Sequence, residues 1–228
     1  MKRDGSGLLP FRNRSEAGAL LAERLGSYAD GPRVVVLALP RGGIPVGASI
    51  ARVLHCDLHP FLVRKLGVPW QPELAMGALA SGGTSLINTA VAEALHVPAP
   101  AVEAVVERES RELARRERLY RRGRPLPDLH DKIVIVTDDG IATGSSMMLA
   151  VQAIRQLGAA YIVAAIPVAP SGAVAQLRQV ANEVVCLAEP DRFTSVGEWY
   201  EDFHQLDDHE VCRLLDEHHD HAGQQRIA

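Results

Sequence analysis

Short runs of apolar, mostly β-branched residues alternate with helix-forming segments through most of the chain. These runs are nearly continuous, as strands are when a parallel sheet buries both of their faces. Pro60 lies inside the second run and favours an edge position for that strand, because proline cannot donate to a sheet ladder. The alternation predicts an α/β fold, a five-stranded parallel sheet flanked by helices. The predicted strands are residues 33–39, 57–63, 132–138, 161–168 and 183–187, with a further short strand at 85–88.

The helical segments carry apolar residues at the spacing that gives a helix one buried face. In the first of them, Ala19, Leu20, Ala22 and Leu25 lie on that face. A glycine, Gly158, follows the fourth, as is common at the end of a helix. The predicted helices are residues 15–28, 44–54, 101–122, 146–157 and 172–181.

Composition indicates one globular domain of residues 1–228, since the chain is 47% hydrophobic and 23% charged. We expect a core at 33–188, an insertion at 64–125, and a C-terminal hood and tail at 189–228. A net charge of −4 argues against a nucleic-acid partner, and no apolar run is long enough for a membrane span. The N-terminus lacks the apolar segment of a signal peptide. Three widely separated cysteines fit a cytoplasmic protein.

Two unusual loops follow the first and third strands of the predicted core. They are "PRGG" at 40–43 and "DDGIATGSS" at 138–146. In a doubly wound sheet of order 2-1-3-4-5, ligands bind between strands 1 and 3, where the connections reverse. If that order holds, both loops face one crevice.

Both loops can bind anions. Residues 142–146 open a helix, where free N–H groups and the helix dipole favour a phosphate, unless Ser145 or Ser146 simply caps the helix. Arg41 adds a guanidinium to the glycine turn, although a tight turn with a surface arginine has the same pattern. Asp138 and Asp139 could accept sugar hydroxyls beside such a phosphate, or bind a metal. No GxxxxGK[ST] or GxGxxG motif is present.

The stretch "VIVTDDGIATGSS" resembles the ribosylpyrophosphate signature of type I phosphoribosyltransferases, and "PRGG" resembles their short pyrophosphate loop. The resemblance implies that Asp138 and Asp139 bind the ribose 2′ and 3′ hydroxyls of phosphoribosyl pyrophosphate (PRPP) and are the catalytic residues. Gly140, where the family more often has an apolar residue, and Ala142, where threonine is common, are departures. The implied PRPP site consists of Arg41, Gly42, Gly43, Lys65, Asp138, Asp139, Gly140, Ala142, Thr143, Gly144, Ser145 and Ser146.

The implied reaction transfers the phosphoribosyl group from PRPP to a nitrogen nucleophile, a nucleobase or related heterocycle, and releases pyrophosphate. Mg²⁺ would be held mainly by the oxygens of PRPP, and we expect a homodimer. A non-catalytic protein that senses PRPP or a nucleotide is the alternative. Both bind PRPP, but only the transferase releases pyrophosphate when an acceptor is added.

The family also has a flexible lid and a hood over the acceptor. Residues 66–83, rich in glycine and proline, are the candidate lid, with Trp70 and Glu73 as lid residues. Arg64 and Lys65 would end the second strand near the pyrophosphate. The candidate acceptor-binding residues of the hood are Asp191, Phe193, Trp199 and Tyr200, whose aromatic rings could instead form a hydrophobic cap.

Two charged segments are expected to be solvated and to have no binding role. The arginine-rich segment 107–124 alternates with glutamate, which favours a solvated helix over a nucleic-acid surface, although one of its arginines could reach PRPP. The histidine-rich segment 217–221 lacks the ligand spacing of a helical metal site and is expected to be a solvated tail.

Overall fold

A computed structural model describes residues 10–225, with side chains described through residue 220. The first nine residues lie outside the described range. The expectation that the N-terminus has no signal peptide falls in part on these residues. Within that range, no helix combines the length and the apolar character that a bilayer crossing needs.

The centre of the molecule is a five-stranded parallel sheet of order β2-β1-β6-β7-β8. Counted along this sheet, the order is 2-1-3-4-5, so the predicted fold class and switch point are confirmed. β2 lies at an edge, where Pro60 is tolerated. The strands are β1 (Val34–Ala38), β2 (Asp57–Pro60), β6 (Ile133–Thr137), β7 (Tyr161–Val168) and β8 (Glu183–Ala188).

Helices cover both faces of this sheet because each strand has apolar residues on both sides. In β1, Val34 and Val36 pack towards the first two helices, whereas Val35 and Leu37 pack towards the fifth and sixth. All five residues of β1 are buried. The helices are α1 (Arg14–Arg24), α2 (Gly43–Leu54), α3 (Thr89–Ala94), α4 (Ala99–Arg121), α5 (Ser145–Gln156), α6 (Ser171–Leu177) and α7 (Asp208–Gln225).

A second, antiparallel sheet corrects the predicted second strand. β2 ends at Pro60, and Val63 begins β3 (Val63–Val68), which pairs with β4 (Gln71–Ala80); β4 in turn pairs with β5 (Thr84–Ile87). Arg64 and Lys65 therefore lie within β3 instead of ending a strand of the central sheet. The candidate lid, residues 66–83, forms most of this hairpin and exposes Trp70 at its tip. Its closure over a ligand stays a prediction.

The histidine-rich end is helical, and the prediction of a solvated tail is wrong. Residues 217–221 lie in α7, which packs against α2 and α4. Val211, Cys212 and Leu215 are buried there because their spacing places them on one helix face. The Nε2 atom of His218 lies 3.1 Å from the Cys56 carbonyl oxygen. In the part of the chain with described side chains, no group of three or more metal-ligating residues occurs.

Candidate active site

The two unusual loops meet at the carboxyl ends of β1 and β6. The Leu39 amide donates to the Thr137 carbonyl oxygen at 2.9 Å, and the peptide bond between Pro40 and Arg41 is cis. A Cβ atom on Gly43 would lie 2.9 Å from the same carbonyl oxygen. The glycine turn therefore contacts the acidic end of β6 directly, and a side chain at this position would separate the loops.

The loop from Ala142 to Ser146 leads into α5 as a phosphate-binding loop would. Gly144 occupies the N-cap position with φ 73° and provides no side-chain cap, so neither serine caps the helix. The hydroxyl oxygens of Thr143 and Ser145 lie 3.0 Å apart. Ala142, Thr143 and Ser146 are exposed. The first N–H groups of α5 have no acceptor in a preceding turn of helix, and Ser145 N–H has only a long contact of 3.4 Å to the Thr143 hydroxyl, so this exposed helix start suits an anion.

Gly140 has a packing reason to differ from the apolar residue common in the family. A Cβ atom there would lie 2.6 Å from a methyl group of Val196 and 3.1 Å from one of Val168. The segment after β8 therefore fills the volume that a side chain at position 140 would occupy.

Asp138 lies in the crevice between the loops. Its Oδ1 atom accepts a hydrogen bond from the Asp139 amide at 2.9 Å. Burial raises the pKa of the Asp138 carboxyl well above its ordinary value, and the adjacent Asp139 charge raises it further. A ligand that donates hydroxyl protons to this carboxylate would favour its charged form.

Asp139 has a partner that sequence reasoning missed. The Nε atom of Arg14, in the first turn of α1, donates to its Oδ2 atom at 2.8 Å. Burial raises the pKa of the Asp139 carboxyl, and Arg14 opposes this effect through its hydrogen bond and charge. Arg14 could not be found from the sequence because it immediately precedes the predicted helix 15–28, an ordinary amphipathic segment, and lies 125 residues before Asp139.

The arginine-rich helix contributes to the same cleft as Asp138. Arg116 and Tyr120 of α4, Arg64 of β3, and Ser146 of α5 line it. Arg64 is held by Glu109, whose Oε2 atom accepts from the Arg64 Nε atom at 2.9 Å. Arg108, Arg111, Arg115 and Arg118 of α4 are exposed, as expected for a solvated helix, whereas Arg121 is buried and Arg116 reaches the cleft.

The other predicted pyrophosphate residues are more peripheral. The side chain of Arg41 is 40% exposed, and its NH1 atom lies 3.9 Å from Oδ1 of Asp208 at the start of α7. The same carboxylate oxygen accepts a hydrogen bond from the Tyr120 hydroxyl at 2.6 Å. Lys65 is exposed on β3. Of these side chains, Arg41 lies at the rim of the loops that the structure brings together.

The predicted acceptor-binding aromatics pack mainly against protein. Tyr200 is buried, stacks on Phe203 with ring centroids 5.2 Å apart, and donates its hydroxyl to the Asp139 carbonyl oxygen. Phe193 stacks on Trp199 at 6.4 Å. Asp191 is exposed. This packing is that of the hydrophobic cap, and a contact of these residues with an acceptor stays a prediction.

Comparison with known proteins identifies the family. Residues 12–202 match the family model described as "Phosphoribosyl transferase domain", which is most of the chain. The chain belongs to the phosphoribosyl transferase family. The matched range therefore includes both loops of the cleft, α1 with Arg14, and the segment through Tyr200.

Individual relatives agree with this membership. Proteins from two Mycobacterium tuberculosis strains, CDC 1551 / Oshkosh and H37Rv, whose names give phosphoribosyl transferase as a provisional activity, are each 44% identical over 209 residues. The match covers 92% of this chain and 47% of each relative, so the chain spans about half of their length. The crystal structure of TT1426 from Thermus thermophilus is 39% identical, with a TM-score of 0.81, covering 92% of this chain and 99% of that one.

Proposed function

We propose that the chain is a phosphoribosyltransferase that transfers the 5-phosphoribosyl group of PRPP to a nitrogen nucleophile, a nucleobase or related heterocycle, and releases pyrophosphate. The observation that carries this proposal is the meeting of the glycine turn, the acidic pair and the open start of α5 at the switch point of the sheet. Family membership supports the same reaction class. Because the two Mycobacterium tuberculosis relatives are about twice as long, the activity of a whole protein of this kind is part of the proposal.

Each part of the site has a role in binding PRPP. The α5 amides and the hydroxyls of Thr143, Ser145 and Ser146 would hold the 5′-phosphate. The acidic end of β6 would receive the ribose hydroxyls. Arg41 and the amides of the turn at 42–43 would contact the pyrophosphate, with Lys65 at the rim. Gly144 and Ala142 would let the backbone approach the phosphate.

The cleft has cationic side chains that suit a polyanionic substrate. Arg64 and Arg116 line it opposite Asp138 and Ser146. Since Glu109 and Glu112 hold these two guanidinium groups in place, they would meet the ligand with little loss of side-chain freedom. This support from α4 is absent from the sequence motif.

The chemistry would consist of displacement at C1 of the ribose. The acceptor nitrogen forms a bond to C1, the bond from C1 to the pyrophosphate oxygen breaks with its electron pair leaving on pyrophosphate, and the proton of the acceptor nitrogen passes to water. Positive charge develops on the sugar, and the carboxylate of Asp138 beside the ribose would stabilise it.

Magnesium is compatible with the residues present, provided that the substrate brings most of its ligands. The described side chains include no group of three or more metal-ligating residues, so the oxygens of PRPP would supply the main coordination. Bound in this way, Mg²⁺ would neutralise charge on the departing pyrophosphate. The chain would contribute to metal binding by holding PRPP in place.

A PRPP-sensing protein is a second candidate, favoured by the closed packing of the hood aromatics. Tyr200, Phe203 and Trp199 pack against one another or against protein, and no ring among them lies in the Asp138 cleft. Such a protein would bind PRPP without turning it over.

Pyrophosphate release decides between the two candidates. The protein is incubated with PRPP, Mg²⁺ and each of a panel of purine and pyrimidine bases, with no-acceptor and Asp138→Asn controls. Acceptor-dependent release by the wild type alone supports the transferase. PRPP binding without release for any base would overturn it and support the sensor.

We further propose a cytoplasmic homodimer. Cys56, Cys186 and Cys212 are all free thiols, which fits a reducing compartment. Sedimentation of the purified chain at several concentrations tests the dimer, and a monomer at all of them would contradict it.

A further inference from the structure

We infer that the two adjacent aspartates have different roles: Asp138 accepts the ribose hydroxyls, and Asp139 is held by Arg14 as a positioning residue that joins the acidic loop to the hood. This inference rests on the proposed PRPP site. It differs from the family resemblance, which gives both carboxylates to the ribose, and it assigns a function to an arginine outside every motif.

Gly42 and Arg14 both lie against the Asp139 carboxylate. A Cβ atom on Gly42 would lie 2.0 Å from its Oδ2 atom and 2.9 Å from its Oδ1 atom, so the glycine backbone covers one side. Arg14 covers another through the 2.8 Å hydrogen bond to Oδ2. The Asp139 side chain is only 14% exposed. What remains exposed faces a depression lined by Arg14, Arg41 and Phe203, separate from the cleft of Asp138.

Arg14 is itself fixed by the segment that leads to α7. It is 8% exposed, and its NH1 atom donates to the His204 carbonyl oxygen at 2.9 Å. Its guanidinium carbon lies 3.9 Å above the centre of the Phe203 ring, within the range of a cation–π contact. A guanidinium with these contacts holds the carboxylate in one place.

The main chain of Asp139 is joined to the same segment. The Tyr200 hydroxyl donates to the Asp139 carbonyl oxygen, and the Tyr200 ring stacks on Phe203, the ring beneath Arg14. The backbone of Asp139 therefore contacts Tyr200 directly, and its side chain is linked to Phe203 and His204 through Arg14. Movement of this segment would displace the acidic loop, and Asp138 with it.

Asp138 differs from its neighbour in its partners, although a glycine backbone approaches it too: a Cβ atom on Gly43 would lie 3.3 Å from its Oδ1 atom. In the described part of the chain, no arginine, lysine or histidine lies within ion-pair distance of it, and it lines the cleft with Ser146 and Arg116. A carboxylate that lacks a cationic partner and faces the cleft is the better acceptor for hydroxyl donors, whereas the paired one is already satisfied.

Four variants separate the roles: Asp138→Asn, Asp139→Asn, Arg14→Met and Arg14→Lys, together with the double variant Arg14→Met/Asp139→Asn. Affinity for Mg·PRPP is measured by calorimetry and unfolding by urea titration. We expect Asp138→Asn to weaken PRPP binding about 100-fold, and Asp139→Asn and Arg14→Met to weaken it about 3- to 10-fold each. The double variant should be no weaker than the worse single variant, because both remove the same pair. Arg14→Lys, which keeps the charge, should stay within about threefold of wild type.

Two results would overturn the inference. One is an equal loss of PRPP affinity in Asp138→Asn and Asp139→Asn while Arg14→Met binds PRPP normally. This result would mean that both carboxylates bind the ribose hydroxyls. The other is additive loss in the double variant, in affinity or in urea midpoint, which would mean that Arg14 does not act through Asp139. Absence of PRPP binding by the wild type would instead refute the proposed function and the role of Asp138 with it. The urea midpoints would then decide alone whether Arg14 and Asp139 act as a pair.

Discussion

Gly42 shows how one backbone position controls the site at the scale of a residue. Its α-carbon lies against the Asp139 carboxylate so closely that a methyl group would overlap the Oδ2 atom. The sequence suggests the glycine for its amide group, as a contact for pyrophosphate. The structure adds a steric reason, since any side chain here would push the acidic loop away from the turn.

We therefore predict that Gly42→Ala destabilises the fold by about 1–3 kcal/mol and weakens PRPP binding at least about tenfold. Urea unfolding and calorimetry measure the two effects. Gly172→Ala in α6 is the matched control, because a Cβ atom there meets no atom within 4 Å, and it should change stability by less than about 1 kcal/mol. Unchanged PRPP affinity in Gly42→Ala would contradict the close approach of the two loops.

His59 gives a prediction for pH dependence. Burial lowers its pKa to about 4; the charges of Arg121, His219 and His218 lower it further, and that of Asp57 opposes them. The unfolded chain takes up this proton near pH 6.5 and the folded chain only near pH 4, so stability contributed by neutral His59 is lost as the pH falls between these values. Urea titration at about pH 7 and about pH 4.5 measures how much the free energy of unfolding falls with pH. We expect this fall to be about 1–3 kcal/mol smaller in His59→Gln than in wild type. Equal losses in the two proteins would refute the shift.

At the scale of elements, what could be predicted depends on how each element is buried. The inner strands β1, β6 and β7 were predictable because burial on both faces leaves a continuous apolar run, whereas the edge strands β2 and β8 are less buried and β2 was predicted too long. β3 and β4 were not predictable because glycine and proline interrupt them. At Gly67 the backbone of Pro72 approaches too closely for a side chain. α7 was missed because its histidines and acidic residues mask a short apolar face.

That face of α7 makes a second test. Leu215 is 1% exposed in the core cluster shared by α1, α2 and the central sheet, so Leu215→Ala should lower the free energy of unfolding by about 2–4 kcal/mol. Leu74→Ala removes the same atoms from a 37% exposed position on β4 and should cost less than about 1 kcal/mol. Similar losses in the two variants, measured by urea unfolding, would mean that α7 is not packed as described.

For the whole molecule, the sequence predicted the location of the cleft better than its walls. The switch point between β1 and β6 followed from strand order, and the phosphate loop and acidic pair followed from local pattern. Arg14, Arg116 and Tyr120 could not be placed, since they reach the cleft or its rim from helices whose packing is set by tertiary contacts. The identity of the acceptor could not be predicted either, because hood residues such as Tyr200 contact both protein and the edge of the site.

PRPP is proposed to bind where the loops of β1 and β6 meet, and amide hydrogen exchange can locate that binding directly. Exchange is followed by mass spectrometry with Mg²⁺ alone and with Mg·PRPP. We expect slower exchange with Mg·PRPP in peptides that cover residues 40–44 and 138–148, because a bound phosphate would occupy the free amides of the turn and of α5. No protection by PRPP, or protection confined to the separate groove between β5 and α5 at residues 85–90 and 149–156, would contradict it.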